Sequence, residues 1–132
     1  MNTNKVAISI ICVAILWFGL DFVIHSILLM PLYQQTMHLW RPMAEMSPAV
    51  GLFVVLIHSI LFVLFYQSMV TSKSLSQGMK FGCWYGVLSG FMMAASYRYM
   101  PIPAALAAAW FFFTWLECFV AGGVVGYFLK DA

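Results

Sequence analysis

Four apolar segments follow one another along the chain, separated by short polar or proline-containing stretches. Their extent predicts helices over residues 6–30, 49–69, 78–100 and 104–129. A helix needs about 20 residues to cross the hydrocarbon core of a bilayer, so these four segments use almost the whole chain. The pattern predicts an all-α integral membrane protein, a single domain over residues 1–132. Its four transmembrane helices are expected to form a bundle of two antiparallel hairpins.

The breaks between the segments have different chemistry. Pro31 lacks a backbone N–H and is expected to end the first helix. The serine-rich stretch 71–77 predicts an exposed turn between the two hairpins, and residues 101–103, Pro-Ile-Pro, predict a tight turn within the second. The connection 32–47 is longer than a turn requires and is rich in aromatic residues. We expect it to lie in the outer membrane interface, where amphipathic rings are favoured.

Composition narrows the class of protein further. Hydrophobic residues make up 64% of the 132 positions and charged residues only 8%, a balance that a water-soluble fold could not bury. The six basic side chains are thinly spread and form no basic surface, which excludes nucleic acid as a partner. The expected partner is the lipid bilayer, joined by other membrane subunits or by further copies of the chain itself. Size and composition favour a bacterial inner (plasma) membrane.

The distribution of basic residues predicts an orientation. Cytoplasmic loops of membrane proteins carry an excess of Lys and Arg. In the four-helix topology, four basic residues fall on the side of the termini and two on the other: Lys5, Lys73, Lys80 and Lys130 against Arg41 and Arg98. Both termini are therefore predicted to be cytoplasmic.

Small residues recur every four positions in the third predicted helix, where they form one flat face: Gly78, Gly82, Gly86, Gly90 and Ala94. The fourth predicted helix offers a similar face through Cys118, Gly122 and Gly126. Membrane helices associate through such faces because small side chains let two backbones approach closely. We expect these two helices to pack against each other. The alternative is that the stripe forms a dimer interface.

Four ionisable residues lie well inside the predicted spans: Asp21, His25, His58 and Glu117. Burying such groups in a membrane costs several kcal/mol by insertion-type scales (of order 3 kcal/mol for a charge), so they are expected to find partners. Asp21 and His25 are four positions apart and share a helix face. Counted from the helix ends, Asp21, His58 and Glu117 lie near mid-membrane and His25 about one turn nearer the outer side, at roughly 1.5 Å per residue. We predict that the four side chains converge in the bundle core.

Two chemistries suit this set of side chains. Two histidines and two carboxyl groups could hold a first-row transition metal ion, although Glu-x-x-His and other metal motifs are missing from the sequence. The same groups could relay protons. The structural alternative is that they bond to one another or to backbone carbonyls and only fix the helix packing.

No catalytic motif is recognised, so whether the chain is an enzyme stays open. Phosphate-binding glycine loops, GxSxG and HExxH are missing, and the three cysteines have no CxxC spacing. The leading hypothesis is a small polytopic membrane protein whose polar cluster binds a metal ion or relays protons, alone or within a larger membrane complex. The alternatives are a structural accessory subunit without chemistry of its own and a small homo-oligomeric transporter.

A short internal similarity crosses the first two predicted helices. The pentapeptide IHSIL occurs at 24–28 and again at 57–61, and Tyr33-Gln34 recurs as Tyr66-Gln67 at the same offset. Either a duplication or chance among apolar helices explains the similarity.

Overall fold

The computed structural model describes residues 3–131, and all regular structure within them is helical. The α-helices are α1 (Thr3–Val23), α2 (Met30–Gln34), α3 (Pro48–Met69), α4 (Leu75–Ala94) and α5 (Ala104–Phe128). Three segments are long and apolar enough to cross a membrane: Thr3–Leu28, Pro48–Met69 and Ala104–Phe128. The all-helical fold and these three spans confirm part of the sequence prediction.

The first long helix does not end where the proline pattern predicts. After α1 the chain continues as a π-helical turn, Ile24–Leu28, in which the amide of Leu29 bonds to the carbonyl of Ile24 at 2.8 Å. Pro31 then occupies the first turn of α2, where a missing N–H costs nothing. The proline therefore starts a new short helix instead of ending the old one.

Serine caps move two other helix boundaries. Ser47 accepts a hydrogen bond from the amide of Val50, and α3 begins at the next residue, Pro48. Ser74 caps α4 in the same way through the amide of Gln77, at 3.2 Å, so this helix begins three residues before the expected position 78. At its other end, α4 tightens after Ala94 into a 3₁₀ turn, Ala95–Arg98.

Helices α4 and α5 touch through their backbones. The contacts pair Gly78 with Gly122 and Gly126, and Gly90 with Phe111, so the two helices run in opposite directions. A methyl group on Gly82 would overlap the backbone oxygen of Cys118. The small-residue spacing thus produces the close contact that it predicts, and glycine is required because any side chain would separate the helices.

The connections between the helices lie at two opposite ends of the molecule. At one end Val6, Tyr66 and Leu129 pack together, and the amide of Lys73 donates to the Asp131 carboxylate at 2.7 Å. We call this the terminal end. At the opposite end, the loop end, the long connection 35–47 and the Pro-Ile-Pro turn lie near a second core that contains Ile24, Leu29, Ile102, Leu106 and Trp110.

Helix α3 is unevenly supported. Its C-terminal half contributes Phe62, Val63 and Tyr66 to the core, and all three are fully buried. Residues 48–54 are exposed on every side of the helix, although they include Phe53 and Leu52. The loop-end half of α3 therefore stands apart from the other helices of this chain.

Candidate functional site

Asp21 and His25 meet on one face of the first long helix. The Nε2 atom of His25 lies 3.7 Å from Oδ1 of Asp21, and the two side chains are 40% and 41% exposed. The i, i+4 spacing brings them together even though the π turn begins at Ile24.

Glu117 lies on α5 and has one fully buried carboxyl oxygen. Its Oε1 atom is buried and accepts no hydrogen bond from any described group, whereas its carboxyl group lies within hydrogen-bonding reach of Asp21. Two carboxylates are both acceptors, so they can bond directly only when one of them carries a proton. The Nε1–H of Trp17 donates to the backbone oxygen of Glu117 at 3.1 Å and ties α1 to α5 at this level.

His58 reaches the cluster from α3 without touching its carboxyl groups. Its Nε2 atom lies 3.0 Å from the hydroxyl of Tyr85 on α4, and its ring packs against Trp17 with centroids 4.5 Å apart. Asp21 is close enough to act on His58 electrostatically. Ser89, one turn further along α4, is within hydrogen-bonding reach of Tyr85. His58 is therefore linked to α4 by a hydrogen bond, whereas its interaction with Asp21 is only electrostatic.

A hydrogen-bonded row leads from His25 toward the loop end. The Tyr33 hydroxyl lies 2.6 Å from Nδ1 of His25, and the Nε1–H of Trp110 donates to that same hydroxyl at 2.8 Å. Burial raises the pKa of Tyr33 above its ordinary value, so the phenol keeps its proton near neutral pH. Because Trp110 can only donate, that proton is available to a neutral His25, whose remaining N–H then faces Asp21.

The π turn and the break at Leu29 make this row possible. In an unbroken helix Tyr33 would lie eight residues, about 12 Å, along the axis from His25. Instead the chain turns after Leu28, and α2 brings Tyr33 back against the histidine. Single π turns inside helices are frequent at functional sites. Here the turn decides which partner His25 has.

The structure gathers the four predicted residues only in part. Asp21 lies beside His25 and within hydrogen-bonding reach of the Glu117 carboxyl group. His58 packs against the ring of Trp17 instead. Among residues 3–131 no three His, Cys, Asp or Glu side chains come together as a metal site would require. Tyr33, Tyr85 and Trp110 were missed by sequence reasoning. The signal that could have indicated the tyrosines is a hydroxyl within or beside an apolar helix.

The cluster is closed toward the terminal end. Between it and that end the core consists of fully buried apolar side chains, Val13, Phe62, Val63 and Val125, together with the ring of Tyr66. The Tyr66 hydroxyl donates to the carbonyl of Ser74 at 3.2 Å and points away from the cluster. Ser9 is also fully buried in this region, and its hydroxyl donates to the carbonyl of Lys5 at 2.8 Å. The hydrogen-bonded side chains described above lead from His25 toward the loop end.

The fold and the cluster define an all-helical protein with three helices suited to a membrane and a set of linked carboxyl, imidazole and phenol groups among them. Comparison with protein-family models, curated proteins and solved structures finds no match for this chain.

Proposed function

We propose that this protein relays protons between its loop end and the middle of the membrane through His25, Asp21 and Glu117, with His58 acting on Asp21 electrostatically. The observation that carries the proposal is the carboxyl pair: Asp21 and Glu117 are within bonding reach, and one Glu117 oxygen is buried without a partner. A pair of neighbouring carboxyl groups holds a proton readily and passes it on when its surroundings change.

The path toward the loop end follows the hydrogen-bonded row. A proton added at Tyr33 or His25 displaces one from the other ring nitrogen toward Asp21, because imidazole can accept at one nitrogen and donate from the other. The hydrogen bonds that join Trp110, Tyr33 and His25 support this direction of entry. The apolar core toward the terminal end argues against a continuous proton path through this chain alone, so the relay serves a reaction or a partner subunit at mid-membrane.

Infrared difference spectroscopy at two pH values tests the relay. The expected result is a band of a protonated carboxyl group that changes between mildly acidic and mildly alkaline buffer and is lost in Glu117→Gln. Glu45→Gln, which removes an exposed carboxylate in the long connection, is the matched control and should keep the band. A spectrum with no pH-dependent carboxyl band, or one unaffected by Glu117→Gln, would reduce the cluster to a packing role.

Metal binding is the alternative chemistry for the same residues. Elemental analysis of protein purified without chelators tests it, with His58→Ala and Glu117→Ala as variants and folding checked for each. Stoichiometric metal in the wild type that is lost in both variants would replace the proton relay by a ligand site. The separation of His58 from the carboxyl groups argues against one metal ion shared by these four residues.

The proposed topology has all four long helices crossing the membrane as two antiparallel hairpins. Support for a crossing by α4 comes from its close contact with α5 between Gly78 and Gly90 and from its outward face, where Trp84 and Leu88 are exposed. With the excess of lysines at the terminal end, both termini are cytoplasmic. The membrane is proposed to be the bacterial inner membrane.

Thiol labelling in intact cells tests this topology, in a chain whose three cysteines are replaced by alanine. A membrane-impermeant reagent should label Ser47→Cys at the loop end and leave Ser72→Cys at the terminal end unmodified until the cells are opened. Labelling of both positions in intact cells, or of Ser72→Cys alone, would contradict the orientation.

A place within a larger assembly is the second candidate function, and the uneven support of α3 favours it. Residues 48–54 are all exposed, which leaves room for another subunit or a second copy. A photo-crosslinking side chain at Phe53 should give a product of one defined mass. The same side chain at Phe112, which is 51% exposed on α5, serves as the control. Equal, diffuse products from both positions would leave lipid as the neighbour of α3.

A further inference from the structure

Two neighbouring grooves flank Lys80 on α4 near the terminal end. The first, of about 390 Å³, lies between α4 and α5 and is lined by Leu75, Ser76, Met79, Lys80, Cys83 and Phe119. The second, of about 540 Å³, lies between α3 and α4, and its walls include Val70, Gln77, Lys80, Phe81, Trp84 and Leu88. Both grooves are open and largely apolar. Lys80 is the one residue that the two linings share.

Lys80 is a cation without a partner among the described residues. It is exposed, and no hydrogen bond or ion pair joins it to another residue between 3 and 131. Of the four acidic side chains in the sequence, only Asp131 lies at this end, and its carboxylate accepts the amide of Lys73. Neither groove has an acidic lining residue. The described residues at this end therefore offer Lys80 no anionic partner, which leaves its charge available to an anion of the bilayer.

The surroundings of Lys80 resemble the boundary between headgroups and acyl chains. One turn toward the terminal end, Ser76 and Gln77 offer neutral polar groups, one to each groove. One turn deeper, Trp84 is 74% exposed, at the depth where amphipathic rings are favoured. Between Lys80 and Leu88 the α3–α4 groove continues for about 12 Å along the helix, at roughly 1.5 Å per residue.

We propose that α4 binds one anionic phospholipid of the bilayer at Lys80, between the two grooves. Its headgroup phosphate rests on Lys80, and its two acyl chains lie in the two grooves. The geometry supports this ligand because one cation, Lys80, is shared by two separate apolar grooves. A phospholipid likewise has one charged headgroup and two acyl chains. The site goes beyond the proton relay and is independent of it, but it rests on the proposed crossing of the membrane by α4.

Native mass spectrometry of the full chain in detergent tests the site, with phosphatidylglycerol and phosphatidylcholine of identical acyl chains as probes. The expected result is one retained phosphatidylglycerol per chain and little phosphatidylcholine. Lys80→Gln should weaken retention about fivefold, which corresponds to the roughly 1 kcal/mol that one lysine contributes beside anionic lipid. Lys80→Arg should retain the lipid.

Two further variants test separately how the lysine charge and the apolar groove contribute to lipid retention. Lys130→Gln removes a cation at the same end that lies over the ring of Tyr127, outside both grooves, and should bind as the wild type does. Val70→Trp fills the α3–α4 groove without changing charge and should weaken retention while circular dichroism stays unchanged. Equal retention of the two lipids by the wild type, or equal losses in Lys80→Gln and Lys130→Gln, would overturn the proposal. Neither outcome depends on whether the Asp21–Glu117 pair relays protons.

Discussion

The contact between α4 and α5 and the polar cluster beside α1 are built on opposite principles. At the first, glycines at 78, 82 and 86 bring backbone against backbone, and nothing larger fits. At the second, the side chains of Asp21 and His25 lie 3.7 Å apart, are partly exposed, and have partners on α2 and α5. The glycine contact fixes one geometry by sterics, whereas the polar cluster is held by a few hydrogen bonds between partly exposed side chains.

This difference indicates how the protein divides its tasks. Close packing of small residues is the main attraction available between helices in lipid, where the hydrophobic effect does not separate protein from acyl chains. Half of the molecule can therefore act as a rigid support. Ionisable groups in the other half are costly to bury and are tolerated where they are linked and reached from one side.

The largest expected effect is at the glycine contact. Gly82→Ala places a methyl group on the backbone oxygen of Cys118, which cannot move without parting the helices, and should lower the unfolding free energy by about 1–3 kcal/mol or more. Gly19→Ala is the control, because nothing lies within 4 Å of its added methyl group. Thermal unfolding in detergent, followed by circular dichroism, measures both. Equal midpoints would mean that α4 and α5 do not pack as described.

Next in size is the loss of the Tyr33 hydroxyl. Tyr33→Phe leaves the Trp110 N–H and a ring nitrogen of His25 without their shared partner, at a cost of about 1–3 kcal/mol. Tyr99→Phe, at a side chain that is 76% exposed, should be neutral. Chemical denaturation measures the difference between the two variants.

The pH dependence of this contact has a definite sign. Burial raises the pKa of Tyr33 above the ordinary 10.0, so its neutral phenol stabilises the fold fully below that pH. The contribution is lost as pH rises through the raised pKa. The stability gap between wild type and Tyr33→Phe should therefore close in strongly alkaline buffer, and a gap that widens there would contradict the burial of this phenol.

A smaller loss of stability is expected when the hydroxyl of Tyr85 on α4 or of Tyr66 on α3 is removed, and the two variants should differ in their effect on His58. Tyr85→Phe removes the hydrogen bond to His58 and should shift the titration of that imidazole in NMR spectra, with a stability loss of about 1 kcal/mol. Tyr66→Phe removes a bond to the Ser74 carbonyl at a similar cost but should leave His58 unchanged. A His58 signal that responds to Tyr66→Phe instead would place the cluster nearer the terminal end.

The smallest effect is expected at the terminal end. Asp131→Ala removes the acceptor for the Lys73 amide at an exposed site and should cost only about 0.5 kcal/mol. Hydrogen exchange at the Lys73 amide should nevertheless become faster, because its side-chain acceptor is gone. Unchanged exchange would mean that the C-terminal segment does not hold the turn before α4.

The internal similarity shows where sequence reasoning stops. His25 and Tyr33 repeat at the same spacing as His58 and Tyr66, and the first pair is hydrogen-bonded. The second pair is not: α3 runs straight, so Tyr66 lies about 12 Å beyond His58, and Tyr85 from another helix takes its place. The same His-to-Tyr spacing therefore produces a hydrogen bond where the helix is broken and none where the helix runs on.

Periodicity and apolar length by themselves determined the helical class, three of the spans and the glycine face, because these depend on near neighbours in the chain and on the solvent. The residues Asp21, His25, His58 and Glu117 could also be selected from sequence, since charge within an apolar segment is a local property. Their partners could not. Trp110 meets Tyr33 across 77 positions and Tyr85 meets His58 across 27, and only the packing of separate helices brings those atoms within bonding distance.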